Sequence, residues 1–244
     1  MISHIPNLAR GYNIYVNRDK FSLIDYTFKN LLTKPAAFAD LGGVWKVNAA
    51  YTRYALDNYF PEKAYLIDTN FSPRILTKLN RYKNLEIIQA DFADDKVVDQ
   101  IRKVDALFLF DVLLHQVNPD WDQILQKYAR ITDCMIIYNQ QIVGYDTSIR
   151  LTSLPLAEYK ELVPKRRDDF YETIYRKDQE IHPQYQKPWK DIHNIWQWGI
   201  TDKDLQDKMD MLGYQLAFYH NYGRFTCLKD FEDHAFVFLR KPAN

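Results

Sequence analysis

A short stretch, Asp-Leu-Gly-Gly, has the composition of a ligand-binding turn. Asp40 ends an apolar run, and two adjacent glycines, Gly42 and Gly43, follow at once. Glycine lets the backbone turn sharply and approach a ligand closely, because it has no Cβ. A dinucleotide turn needs the spacing G-x-G-x-x-G so that a diphosphate can rest on a helix N-terminus. This chain has Val44 and Trp45 instead, which favours a nucleoside ligand without a diphosphate.

Three more carboxylates follow apolar runs further along the chain: Asp68 after AYLI, Asp91 after EIIQA and Asp111 after LFLF. In an open parallel sheet, ligands bind outside the carboxyl ends of the strands. A carboxylate at that edge can accept hydrogen bonds from two hydroxyl groups. A second interpretation stays open, because Asp68 also suits a turn and Asp91 the acidic entry to a helix.

His115 is the candidate catalytic residue, since it follows the fourth apolar run in DVLLHQV. Its imidazole could remove a proton from an acceptor hydroxyl or amine. A loop histidine with a satisfied hydrogen bond is the alternative. The sequence contains no H-E-x-x-H, C-x-x-C, G-x-S-x-G or P-loop pattern. A metal site, a hydrolase and a kinase are therefore disfavoured.

The elements that position these residues follow from hydrophobic period. Five short apolar runs predict strands: AAFAD, AYLID, LEIIQ, DALFLF and CMIIY. Helical patterns lie between them, after an amphipathic lead-in helix within residues 1–35. Continuous apolar strands that alternate with helices are typical of a doubly wound, mostly parallel sheet covered on both faces. Residues 36–144 are thus predicted to form an α/β core.

The remaining chain divides into two parts. Residues 145–200 carry charged helical patterns, prolines and tryptophans, and we expect a helical cap without strands. Tyr138 and Asn139 after the fifth strand, and Trp196 in the cap, are candidate substrate contacts; for the cap tryptophans, packing is the favoured alternative. Residues 201–244 predict a helix capped by Thr201 and two antiparallel strands that complete the core.

Composition sets limits on function. The chain has 244 residues, of which 47% are hydrophobic, enough for a sizeable core without disulfides. Its 32 basic and 32 acidic residues balance, so the chain has no net positive charge that would attract nucleic acid or an acidic membrane. Cys134 and Cys227 lie in apolar contexts and are expected to be buried free thiols, and no segment predicts a signal peptide or membrane helix. We expect a cytoplasmic protein.

The glycine turn resembles the first motif of the class I S-adenosylmethionine-dependent methyltransferases, an acidic residue followed by G-x-G-x-G. Asp40, Gly42 and Gly43 match it, whereas Val44 and Trp45 depart from it. The resemblance covers residues 36–144 and 201–240. It implies a Rossmann-like sheet of seven strands, with a final antiparallel hairpin, and S-adenosylmethionine as cofactor.

The same resemblance assigns roles to the other strand-end residues. Asp68 would bind both ribose hydroxyls of the cofactor, and Asp91 with Phe92 would meet the adenine. Asp111 would lie beside the methionine part. Such an enzyme needs few catalytic groups, because the sulfonium supplies the reactivity and the protein supplies alignment.

The sequence therefore predicts methyl transfer to an oxygen or nitrogen of a small-molecule acceptor. Two alternatives stay open: a methyltransferase-like binding module without turnover, and an NAD-dependent oxidoreductase in which Asp68 binds the adenosine ribose. The second is disfavoured by the missing phosphate-binding glycines. We expect no nucleic acid or membrane partner, and the aromatic-rich cap could form a homodimer contact.

Overall fold

Seven strands form one sheet with helices on both faces in the computed structural model, which describes residues 16–165, 168–225 and 228–242. The strands run in the order β3-β2-β1-β4-β5-β9-β8, and all neighbours are parallel except β9, which is antiparallel to both β5 and β8. Their bounds are β1 Ala37–Leu41, β2 Lys63–Asp68, β3 Leu85–Gln89, β4 Ala106–Phe110, β5 Cys134–Ile142, β8 Tyr214–Arg224 and β9 Phe231–Arg240. The predicted fold class is confirmed.

Eight α-helices lie in the described residues. They are α1 Arg18–Tyr26, α2 Ala50–Tyr59, α3 Pro73–Leu79, α4 Asp95–Gln100, α5 Trp121–Tyr128, α6 Leu156–Leu162, α7 Asp168–Arg176 and α8 Asp202–Met211. A π-helical turn continues α1, and a short 3₁₀ turn follows β4 at Leu113–His115. Thr201 caps α8 by accepting a hydrogen bond from the Asp204 amide, as the sequence predicts.

The core has two layers because successive strand residues point to opposite faces of the sheet. On β4, Leu107 and Leu109 pack with α4, α5 and α8, whereas Phe108 and Phe110 pack with α1 and α2. All five β4 residues are buried. This burial on both faces explains why the strand sequences are continuously apolar.

Two features differ from the sequence prediction. The cap contains a two-stranded sheet, β6 Ile149–Arg150 with β7 Trp198–Gly199, because its entry and exit segments run antiparallel beside each other. Strand β5 also continues past Tyr138 to Ile142, since the polar residues after Tyr138 pair with β9 and are buried there. Cys134 is a buried free thiol as predicted, and Cys227 lies outside the described residues. None of the described helices is long and apolar enough to cross a membrane.

His234 joins the β8–β9 hairpin to the start of α8. Its Nδ1 lies 2.7 Å from Asp202 Oδ1, and its Nε2 lies 3.3 Å from Glu232 Oε2. Burial alone would lower the pKa of His234, but hydrogen bonds and charge attraction from Asp202 and Glu232 outweigh burial and raise it. The imidazolium therefore helps to fasten α8 to the sheet.

We expect His234→Gln to lower the free energy of unfolding by about 1 kcal/mol more at about pH 5.5 than at about pH 9. The folded-state pKa lies above the unfolded value of about 6.5. The stabilisation is therefore complete below that value and is lost as pH rises through the folded-state pKa. Urea unfolding of both proteins at both pH values measures the difference. Equal losses at the two pH values would show that the charged imidazolium contributes nothing.

Candidate functional site

The turn after β1 is built on Gly42. Its amide donates a 2.8 Å hydrogen bond to the Ile67 carbonyl at the end of β2, and its φ is +71°. A Cβ at this position would lie 2.8 Å from Val112 Cγ1. Both the left-handed backbone and the close approach of Val112 therefore require glycine.

We expect Gly42→Ala to lower the free energy of unfolding by about 2 kcal/mol, from backbone strain and crowding against Val112. Gly144→Ala is the matched control, because Gly144 has φ +80° but nothing within 4 Å of a Cβ. The control carries the backbone cost alone, about 1 kcal/mol. Denaturant unfolding compares the two variants, and an equal loss in both would show that contact with Val112 costs nothing.

Gly43 is needed because the carboxylate of Asp40 lies directly beneath it, where a Cβ would overlap the carboxylate oxygens. Asp40 is fully buried, and its Oδ2 accepts a 2.5 Å hydrogen bond from Thr52 Oγ1 on α2. Burial raises the pKa of Asp40 to about 7, against the opposing effect of the Thr52 hydrogen bond. Within the part of the chain that the structure describes, Asp40 Oδ1 has no hydrogen-bond partner.

The turn reaches α2 without a third glycine. Lys46, Asn48 and Ala49 adopt positive φ values of 61°, 54° and 56°. Such backbone is sparsely populated outside glycine and persists only where surrounding contacts hold it. Here the Asn48 amide donates to the Val44 carbonyl at 2.8 Å, and the Ala49 amide donates to the Gly43 carbonyl at 3.0 Å.

Asp68 lies at the tip of β2 and is bound to the glycine turn. Its Oδ2 accepts hydrogen bonds from the amides of Val44 at 3.0 Å and Trp45 at 3.3 Å. Its Oδ1 accepts one from the Asn70 amide at 3.2 Å. The two parts of the site that the sequence pattern predicts, the turn and the β2 carboxylate, therefore contact each other directly.

Asp91 is covered by the cap. Its Oδ2 lies 3.3 Å from Lys187 Nζ and 3.3 Å from His193 Nε2. Burial alone would raise the pKa of Asp91, but His193, the Ala93 amide and Lys187 together hold it well below its usual range. Phe92 beside it is 8% exposed, and its ring would lie 3.7 Å from a Cβ on Gly42. The cap thus contacts the residues predicted to meet an adenine.

Asp111, at the end of β4 with φ 56°, forms a buried ion pair with Lys20 from α1. Gln140 on β5 links two carboxylates, since its Nε2 donates to Asp111 Oδ1 at 2.9 Å and to Asp233 Oδ1 at 2.8 Å. Burial, together with the nearby charge of Asp111, raises the pKa of Asp233 to about 6 against the Gln140 hydrogen bond. Burial by itself would lower the pKa of Lys20, yet the attraction of Asp111 raises it overall.

Three aromatic rings enclose the Lys20 ammonium. Its Nζ lies 4.7 Å from the ring centre of Tyr138, 5.6 Å from that of Tyr51 and 6.0 Å from that of Phe110. Such distances allow cation–π attraction. We call the space bounded by these rings and by Asp111, Gln140 and Asp233 the Lys20 chamber.

The other candidate residues have separate positions. His115 is bonded to the cap, with its Nδ1 2.6 Å from the Ile195 carbonyl oxygen. Tyr138 faces the Lys20 chamber, whereas Asn139 points to the opposite face of β5 and donates to Gln141 Oε1 at 2.9 Å. Trp196 in the cap is 2% exposed and packs against Phe225 and Phe231, which belong to the β8–β9 region.

Sequence reasoning missed Lys20, Asp233 and Lys187, which contact the strand-end carboxylates or Gln140. A signal existed for Lys20, because it lies on the same face of α1 as Leu23 and Ile24, three and four residues later. A lysine on the apolar face of a helix indicates a buried partner. Among the described residues, no group of three or more His, Cys, Asp or Glu could hold a metal ion.

Comparison with known proteins gives the fold. No family model and no curated protein matches the chain. The N-terminal domain of EvdMO1, solved in the presence of S-adenosylhomocysteine (SAH) and D-fucose, superposes with a TM-score of 0.59 at 12% identity, over 92% of this chain and 84% of that one.

Two other solved structures are similar to the chain. The 1,6-didemethyltoxoflavin-N1-methyltransferase of Burkholderia thailandensis, with its substrate and SAH bound, has a TM-score of 0.58 at 10% identity, over 92% of this chain and 78% of that one. A putative RNA methyltransferase from Pyrococcus horikoshii has a TM-score of 0.52 at 10% identity, over 92% and 85%. The chain has the fold of the class I methyltransferases.

Proposed function

We propose that the protein is an S-adenosylmethionine-dependent methyltransferase that acts on a small molecule. The observation that carries this proposal is the contact between Asp68 and the amides of Val44 and Trp45. It joins the glycine turn of β1 to the β2 carboxylate in one crevice. Between β1 and β4 the strand order reverses, which is where ligands bind in sheets of this kind.

The residues of this crevice fit the cofactor in shape and chemistry. Because Gly42 and Gly43 lack a Cβ, the turn can pack closely against Val112 and the Asp40 carboxylate. Asp68 would accept hydrogen bonds from the ribose hydroxyls, and Asp91 with Phe92 would hold the adenine. Asp111 would lie at the methionine end, where a carboxylate favours a cationic ligand.

When bound, S-adenosylmethionine supplies an electrophilic methyl group on a positively charged sulfur, which becomes a neutral thioether after the transfer. The protein's own task is to align the acceptor with that methyl group and to exclude water. The cap contacts His115 and Asp91, which supports a role in covering the crevice. We assign acceptor recognition to the cap and to the strand ends of β4 and β5, and we keep His115 as a candidate base.

A binding module without turnover is the second candidate, and one observation favours it. Three carboxylates that are predicted to bind the cofactor already have partners within the chain. Asp68 accepts hydrogen bonds from backbone amides, Asp91 pairs with Lys187, and Asp111 pairs with Lys20. A cofactor must displace or share these contacts. An oxidoreductase that uses NAD is disfavoured, because α2 begins only at Ala50, after a turn without phosphate-binding glycines.

Isothermal titration of the wild-type protein with S-adenosylmethionine, SAH and NAD tests the proposal. We expect the two sulfur nucleosides to bind and NAD not to bind, because the turn offers no site for a diphosphate. Binding of NAD alone would establish the oxidoreductase alternative. Binding of none of the three would contradict the proposal and favour a module that serves another partner.

A further inference from the structure

We propose that the acceptor is a primary aliphatic amine, and that its ammonium group binds in the Lys20 chamber, at the position that Lys20 fills in this structure. This inference rests on the proposed methyl transfer and assigns its substrate class. The chamber is formed by residues of the core, namely Tyr51, Phe110, Asp111, Tyr138, Gln140 and Asp233. Lys20 alone comes from α1, outside the sheet.

The present occupant indicates which ligand the chamber accepts. The Lys20 side chain is a four-carbon alkyl chain that ends in an ammonium group, and it is 3% exposed. Its ammonium lies near three aromatic rings and meets Asp111 and the face of Tyr138. A free alkylammonium ion has the same shape, charge and three N–H donors.

The charges of the chamber favour a cation. Two carboxylates, Asp111 and Asp233, accept hydrogen bonds from the Gln140 amide group, and Asp111 is also paired with the Lys20 ammonium. Gln140 is 3% exposed, and among the described residues its Oε1 has no hydrogen-bond partner.

The position also suits an acceptor. The chamber lies at the carboxyl ends of β4 and β5, and β4 is the direct neighbour of β1, which carries the glycine turn. An amine held there would lie beside the methionine end of the cofactor site. Lys20 must leave the chamber first.

An ammonium group must lose a proton before its nitrogen can accept a methyl group. One N–H bond breaks, the electron pair stays on nitrogen, and the proton passes to the Asp233 carboxylate. Burial and Asp111 raise the pKa of Asp233 to about 6, closer to neutrality than an ordinary aspartate. Asp233 is therefore the proton acceptor in this scheme, and Asp111 is the charge partner that holds the amine once Lys20 has left.

The test empties the chamber with Lys20→Ala and refills it with n-butylammonium chloride. At about 100 times the Kd, we expect n-butylammonium to raise the unfolding temperature of this variant by about 5 °C. The neutral 1-butanol should have no such effect. Lys20→Met is the matched control, because its side chain fills the chamber without charge and should abolish the response to n-butylammonium.

Two further measurements on the same proteins separate this inference from the proposed function. SAH titration shows whether the cofactor site works, and mass spectrometry after incubation with S-adenosylmethionine detects N-methylbutylamine. We expect Lys20→Ala to bind SAH and to form this product with a lower KM for n-butylamine than the wild-type chain. If the wild-type chain does not bind SAH, both the proposed function and the acceptor assignment are refuted.

Other outcomes overturn the acceptor assignment alone. Equal stabilisation by 1-butanol would show that the chamber does not select a cation. If SAH and n-butylammonium both bind but no N-methylbutylamine forms, the chamber is not the acceptor site. Lys20→Ala is compared with the wild-type chain in the same way. If the variant binds S-adenosylmethionine more tightly, binds SAH equally and does not respond to n-butylammonium, the chamber receives the sulfonium instead of the amine. If Lys20→Ala does not fold with or without n-butylammonium, the wild-type chain decides: product formation supports the assignment, and its absence refutes it.

Discussion

Asp68→Ala is expected to weaken SAH binding by more than about 100-fold. The carboxylate would accept two ribose hydrogen bonds, and bonds to a charged acceptor contribute about 1.5–3 kcal/mol each. The variant also releases the amides of Val44 and Trp45, which Asp68 holds at 3.0 and 3.3 Å. Isothermal titration measures the affinity, and circular dichroism confirms that the variant is folded.

His115→Ala is the comparison for this result. His115 is bonded to the cap through Ile195 and lies after β4, so its loss should change SAH affinity by less than about tenfold. Asp68→Asn keeps the shape and removes the charge, and an intermediate loss is expected. Equal losses for Asp68→Ala and His115→Ala, or a larger loss for His115→Ala, would overturn the assignment of Asp68 to the ribose.

The second large effect concerns stability. Asp111→Asn is expected to lower the free energy of unfolding by about 3–5 kcal/mol, because it leaves the Lys20 ammonium buried without its charged partner. Asparagine tolerates the positive φ of this position, so the variant isolates the charge. Urea unfolding at neutral pH, with SAH absent, measures the change.

The double variant Lys20→Met/Asp111→Asn distinguishes two causes of lost stability: a buried Lys20 charge left without a partner, and the loss of the ion pair itself. With both charges removed, we expect most of the lost stability to return, since replacing a buried ion pair is far less costly than breaking it. Glu86→Gln breaks the exposed pair with Lys63 at 2.6 Å and should cost about 0–1 kcal/mol. A double variant as unstable as Asp111→Asn would show that Lys20 is not the cause of the loss.

The sheet and its strand-end carboxylates could be predicted because both depend on local pattern. Apolar runs that end in Asp40, Asp68 and Asp111 correspond to β1, β2 and β4, and the short link before the last strand required an antiparallel pair. The glycine turn was predictable for the same reason.

Contacts between distant segments could not be predicted in this way. Lys20 and Asp111 are 91 residues apart, and Lys187 and Asp91 are 96 residues apart. A lysine in a charged sequence is normally solvated, so only its place on the apolar face of α1 indicated otherwise. Alternation along β5 likewise separates Tyr138 from Asn139, although the sequence suggested one polar rim.

The determination of a structure with SAH bound tests the central claim most directly. We predict SAH in the crevice between β1 and β4, with its ribose hydroxyls bonded to Asp68 and its adenine beside Asp91 and Phe92. SAH bound elsewhere, or Asp68 still bonded only to the amides of Val44, Trp45 and Asn70, would contradict the account.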